Sequence, residues 1–113
     1  MGGQPLDGQP AIATDRMKIQ WTSKASSDLL RLHEHLRPVA PEAAAHVVQQ
    51  LAHAPNRLLD YPRLSEKLEA FEPREVRRII IGHYEMRYEI ANGTLFILRL
   101  WHCRENRSFE AEH

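Results

Sequence analysis

One dipeptide, Asn92-Gly93, constrains this chain more than any other feature. Both residues tolerate the positive φ of a type I′ turn, and such a pair between alternating segments signals a β-hairpin. Before it, residues 84–90 alternate: Tyr84, Met86, Tyr88 and Ile90 point one way, and Glu85, Arg87 and Glu89 the other. Period two marks a strand with one buried face. After the turn, residues 94–101 run back as a partner strand. Upstream, residues 76–81 are largely β-branched and apolar apart from Arg77 and Arg78, and end at Gly82. Three strands in an antiparallel meander are predicted.

A regular register gives this sheet two unlike faces. Phe96, Leu98 and Leu100 would share one side of the last strand, and Ile97, Arg99, Trp101 and Cys103 the other. Arg99 and Trp101 would then lie with Glu85, Arg87 and Glu89. The apolar face needs a cover. The charged face is expected to be solvated, carrying cross-strand ion pairs of small individual worth, and to be free to meet a partner.

The cover lies earlier in the chain. Residues 1–16 are rich in glycine, proline and glutamine and are expected to form a disordered extension. Ile19 and Trp21 alternate with Lys18 and Gln20, a short first strand. Thr22 or Ser23 can cap a helix. Ala25, Leu29, Leu32 and Leu36 then form one helical stripe, which Leu30 widens, and Pro38 stops it. Pro41 suits the first turn of a second helix with Ala44, Val47, Val48 and Leu51 on its buried side. Pro55 is expected to kink or interrupt that helix, and residues 58–61 to add one further turn. Residues 63–75 read as a charged connector anchored by Leu64, Leu68 and Phe71. The resulting class is α+β: strand, helical hairpin, then a three-stranded meander, with both helices packed on one face of a small sheet. Residues 17–107 form the domain and 108–113 a polar tail.

Composition bounds the function. With 15 basic and 15 acidic residues the chain is neutral, so it has no overall attraction to nucleic acid. Its single cysteine, Cys103, excludes an intrachain disulfide. No apolar run approaches a membrane span, and no membrane partner is expected. A cytoplasmic location is the resulting expectation.

The order of elements and the residues on them resemble the RelE/ParE superfamily of bacterial toxins, in its ParE-like branch. The opening MKIQWTSKASSDLLRL resembles the family's first strand and helix. Leu59-Asp60-Tyr61-Pro62 resembles the end of its second helix. Arg78, the apolar run to Gly82, Tyr84 and Tyr88 resemble its middle hairpin, and ILRLWH its last strand. The resemblance implies the toxin of a type II toxin–antitoxin (plasmid stabilisation) system, in hetero-oligomeric complex with a cognate antitoxin. ParE-like members inhibit DNA gyrase by binding; RelE-like members cut messenger RNA on the ribosome.

RNA cleavage needs a proton acceptor, cations for the developing phosphate charge and a proton donor. By resemblance, Arg78 and Arg104 match basic positions of the ribonucleases, and His102 is the one residue able to handle the proton. Glu85, however, stands where those enzymes often carry arginine, and Phe109 or Glu110 stands where they carry a tyrosine. The reading therefore favours a binding inhibitor over an enzyme. A ribosome-dependent endoribonuclease using Arg78, His102 and Arg104 is the first alternative, and a non-toxic binding module the second. A tyrosine, a histidine and several cations converging in one cleft would count against the binding inhibitor and for the nuclease. Candidate partner-binding residues are Arg77, Arg78, Arg87, Arg99, Trp101 and Arg104. No metal or cofactor is called for: His33 and His35 diverge on a helix, and His46 and His53 lie on the order of 10 Å apart by helical rise.

Overall fold

The computed structural model of the protein describes residues 17–105; the expected extension 1–16 and tail 108–113 lie outside them. The order is β1 (Lys18–Trp21), α1 (Ser23–Leu36), α2 (Pro41–Leu58), β2 (Glu66–Lys67), a 3-10 turn (Glu69–Phe71), β3 (Glu75–Ile81), β4 (Tyr84–Ala91), β5 (Thr94–His102) and a final 3-10 turn (Cys103–Glu105). The sheet runs β1-β5-β4-β3-β2. β1 lies parallel to β5, as a helical crossover requires, and the other neighbours are antiparallel. The class is α+β, two helices on one face of a mostly antiparallel sheet.

The expected hairpin is present. Asn92 and Gly93 have φ of 52° and 70°, and Ala91 pairs with Thr94 across them. The equally short β3–β4 connection uses Gly82 at φ 63°, where a side chain would be strained.

The register is not regular. Arg87 pairs with Arg99, but Tyr88 pairs with Ile97, so Leu98 is an extra residue on β5. A bulge of this kind reverses the sides of every residue beyond it. Leu95 and Ile97 therefore join Leu100 on the helix-facing side, and all three are buried; Phe96 and Leu98 do not share their side. The core between helices and sheet holds Ala25, Leu32, Leu51, Leu58, Met86 and Tyr88 as well.

The bulge sits where α1 meets the sheet. Thr22 caps α1, its hydroxyl oxygen accepting from the Ala25 N–H at 3.1 Å. The same hydroxyl donates to the Ile97 carbonyl at 2.7 Å. Beyond Ile97, β1 no longer covers β5. There Asp28, buried on α1, accepts from the Leu100 N–H at 2.9 Å and from Arg99 Nε at 2.8 Å and Nη2 at 3.2 Å. A helix carboxylate thus closes a strand edge that otherwise lacks an acceptor.

Three further expectations are corrected. α2 runs through Pro55 to Leu58 without interruption; Pro55 lies in the last turn, where few following residues depend on the ladder. Leu30 does not widen the buried stripe but stands 61% exposed. Leu64 does not anchor the connector and is exposed. Leu68 and Phe71 are half-buried as expected, and polar bonds do the rest. The Tyr88 hydroxyl donates to the Pro62 carbonyl at 2.7 Å and also meets the Ser65 hydroxyl. Arg63 grips Glu75 through two bonds of 2.8 and 2.9 Å. Arg63 hydrogen bonding holds the Glu75 carboxyl below its ordinary value, against burial, with Arg77 adding to the effect.

Burial pushes the Tyr88 phenol above its ordinary value. A raised folded-state value means stability intact below the unfolded value and lost as pH climbs through the folded one. Absorbance titration should show a late phenolate component that disappears in Tyr88→Phe. Asp28→Ala should lower the unfolding free energy by about 3 kcal/mol, because it leaves Arg99 and the Leu100 N–H without their acceptor. Urea denaturation measures this.

Candidate functional site

The sheet face away from the helices is not the solvated surface that alternation suggests. Glu85 and Trp101 are fully buried there, and Arg87 is 2% exposed. The 3-10 turn brings Phe71 over this face. The Arg87 guanidinium lies 5.4 Å from the Phe71 ring centre and 4.8 Å from that of Trp101, sandwiched between two aromatic faces. Glu85 sits between two cations: Arg78 at 3.3 Å and Arg87 at 3.4 Å. Arg78 also bonds Glu66 at 2.9 Å, and Arg74 grips Glu89 through two bonds.

These contacts show where the expected partner-binding residues lie. Arg87 and Trp101 are buried. Arg99 is drawn to Asp28. Arg77 is turned onto Glu75 and the carbonyls of Arg63 and Ser65. Arg78 is about one third exposed and ion-paired on two sides. Arg104 alone of the six is exposed. The sequence carried a signal of the buried face, namely Val76 and Trp101 among its charges and two apolar residues, Leu68 and Phe71, in the connector.

Nor does the fold assemble Arg78, His102 and Arg104. Arg78 pairs with Arg87, whereas Ile81, Tyr84 and His102 pair across the three strands. Positions 78 and 81 are an odd number apart, so Arg78 and His102 occupy opposite faces.

His102 belongs to another group. A cleft of about 450 Å³ opens between the end of α1 and the end of the β4–β5 pair, lined by Arg31, Leu32, His35, Leu36, Tyr84, His102 and Arg104. The His102 ring meets Tyr84 edge-on at 5.2 Å and stacks on His83 at 6.0 Å. Its Nδ1 accepts the Arg104 backbone N–H at 3.1 Å. That bond assigns the proton of the neutral ring to Nε2. A tyrosine, histidines and cations do therefore converge, on the helix side of the sheet.

A second concavity, of about 510 Å³, lies beside β3. Ala54, Leu58, Tyr61, Leu64, Ile79 and Ile80 are among its lining. Tyr61, Leu64 and Ile80 are exposed large hydrophobic residues, an unusual concentration for a solvated surface. β2 pairs only with Arg77 and Arg78, so β3 beyond Arg78 has no outer neighbour among the described residues.

The model of the ParE toxin of the type II toxin–antitoxin system parDE matches residues 19–107. The chain belongs to the ParE toxin family. Within the wider RelE/ParE superfamily it is similar to Toxin RelE2 of Caulobacter vibrioides, 28% identical over 86 residues, which are 76% of this chain and 94% of the relative. Among solved structures, the chromosomal ParDE system of P. aeruginosa shares the fold at a TM-score of 0.66 with 22% identity, covering 78% of this chain and 97% of that one. The RelBE2 toxin–antitoxin complex of Mycobacterium tuberculosis matches at 0.50 with 26% identity, over 77% and 91%. The protein is thus the toxin of a type II toxin–antitoxin system. No helix among the described residues is long and apolar enough to cross a membrane.

Glu85→Gln should destabilise this toxin by about 3 kcal/mol, since it removes the carboxylate facing the buried Arg87 guanidinium. Denaturation of the variant beside the parent checks it; an unchanged midpoint would show that the aromatic sandwich alone sustains the charge.

Proposed function

We propose that this toxin works by stoichiometric binding, with DNA gyrase as its target, and that a cognate antitoxin neutralises it in a hetero-oligomeric complex. The observation that carries the reading is Glu85. It stands between Arg78 and Arg87 and cancels the cationic field that a scissile phosphate would need. The separation of Arg78 from His102 by the sheet supports the same conclusion. The ParDE and RelBE2 neighbours, both toxin–antitoxin systems by description, support the antitoxin partner. Its docking surface is the apolar concavity of Tyr61, Leu64 and Ile80, which suits the apolar stripe of an amphipathic helix. The toxin domain spans residues 17–107, with 1–16 and 108–113 as appendages, and both candidate targets place its action in the cytoplasm.

One observation favours a second reading, ribosome-dependent cleavage of messenger RNA: Tyr84, His102, His35, Arg31 and Arg104 share a cleft. Against it, the basic nitrogen of His102 is engaged by the Arg104 N–H, so accepting a proton there breaks a bond before any chemistry begins.

Two assays on the purified toxin separate the readings. Supercoiling by gyrase should fall as toxin approaches equimolar amounts, with ribosome-bound transcripts intact by primer extension. Cleaved transcripts with unaffected gyrase overturn the proposal, and loss of that cleavage in His102→Ala would then assign the ring to the reaction.

A further inference from the structure

The surface beside β3 carries both halves of a fit. Its concavity is about 510 Å³, and apolar side chains stand out from its border: Leu64 is 79% exposed, Tyr61 66% and Ile80 51%. One face thus holds a hollow together with projections able to fill one. Large apolar residues gathered in this way are costly to leave in water. Two opposite charges flank the patch. Arg57, in the last turn of α2, lines the hollow. Asp60 follows three residues later, beside Tyr61. Both are exposed, and neither has an ion pair among the described residues. The backbone restricts what can dock. β2 occupies the outer edge of β3 at Arg77 and Arg78, which leaves only residues 79–81 of the strand open. That edge is shorter than an ordinary strand, so an extended peptide gains little by lying along it. A folded surface that offers side chains suits it better.

We propose that the free toxin self-associates through this face, as two copies related by a twofold axis. Leu64 and Tyr61 of each copy enter the other's hollow, and Arg57 of each meets Asp60 of the other. A twofold axis requires a self-complementary patch, in which one residue meets a second and that second meets the first in return. Hollow and projection satisfy this requirement, and so do the two charges. A partner surface of one sign would pair with Arg57 or with Asp60 and oppose the other, whereas a second copy answers both. The patch is small, which places the contact among weak, reversible interfaces. The antitoxin helix proposed for the same hollow would then displace a second copy rather than bare water. The inference goes beyond the binding-inhibitor reading and needs neither its target nor its antitoxin.

The test uses the full toxin alone, in sedimentation velocity across the micromolar range. The weight-average mass should climb from one copy towards two as concentration rises. Leu64→Glu should weaken the association at least about tenfold, since it drives a charge into the hollow. Leu64 is exposed, so circular dichroism should show the fold kept. The reciprocal charges give a sharper result. Arg57→Asp leaves two acids on the face and Asp60→Arg two bases, so each variant alone should associate at least about tenfold more weakly than the parent. Mixed one to one, the two variants should pair with each other to within about threefold of the parent affinity, because every contact then joins opposite charges. A parent that remains a single copy throughout, a dimer indifferent to Leu64→Glu, or a mixture no tighter than its components overturns the proposal. Gyrase, ribosome and antitoxin are absent from this measurement, so its failure is distinguishable from failure of the gyrase reading.

Discussion

The structure turns on the place where β5 loses its neighbour. β1 is only four residues long and covers β5 as far as Ile97. Beyond that point, the extra residue Leu98 and the carboxylate of Asp28 satisfy the uncovered strand. The bulge sets Leu95 and Ile97 on the same side as Leu100, which gives the core a continuous floor. Asp28 accepts the Leu100 N–H and so seals the strand edge with a helix side chain. Thr22 performs the matching task at the start of α1, capping the helix while bonding β5. The helical hairpin is thereby fixed to the sheet by directed bonds as well as by apolar contact, and that attachment sets the position of the α1–β5 cleft.

The opposite face shows what becomes of charge in a small fold. Glu85, Arg87 and Arg78 are spaced like a solvated surface row, yet Phe71 and Trp101 enclose the middle of it. Burying a guanidinium requires compensation, and Glu85 with two aromatic faces provides it. The same carboxylate that stabilises the buried arginine also removes positive potential from this side of the sheet. A face organised to satisfy its own charges is poorly suited to stabilise a phosphate, and exposed apolar area gathers instead at the concavity around Ile80.

Much of this was legible in the chain. Hairpin, meander, helical pair and α+β class come from local rules, since an Asn-Gly turn, a two-residue alternation and a leucine stripe each act over a few residues. The candidate site was legible only in fragments. His102 and Arg104 were visible as chemistry-bearing residues, but their neighbours Arg31, His35 and Tyr84 come from other elements and carried no linear signal. Arg78 was grouped with them by resemblance and stands on the far face. Arg87 and Trp101 looked like surface and are interior, because alternation states which side a residue takes and not what covers that side.

The sequence by itself therefore determined the elements, their order and the face that needed covering, because propensity, turn geometry and periodicity are properties of neighbouring residues. Only the tertiary structure decided the shift at Leu98, the enclosure of Arg87 and the company of His102. Each depends on contacts between residues far apart in the chain, where the cost of leaving a backbone N–H or a charge unpaired is settled by whichever distant group the fold brings within reach.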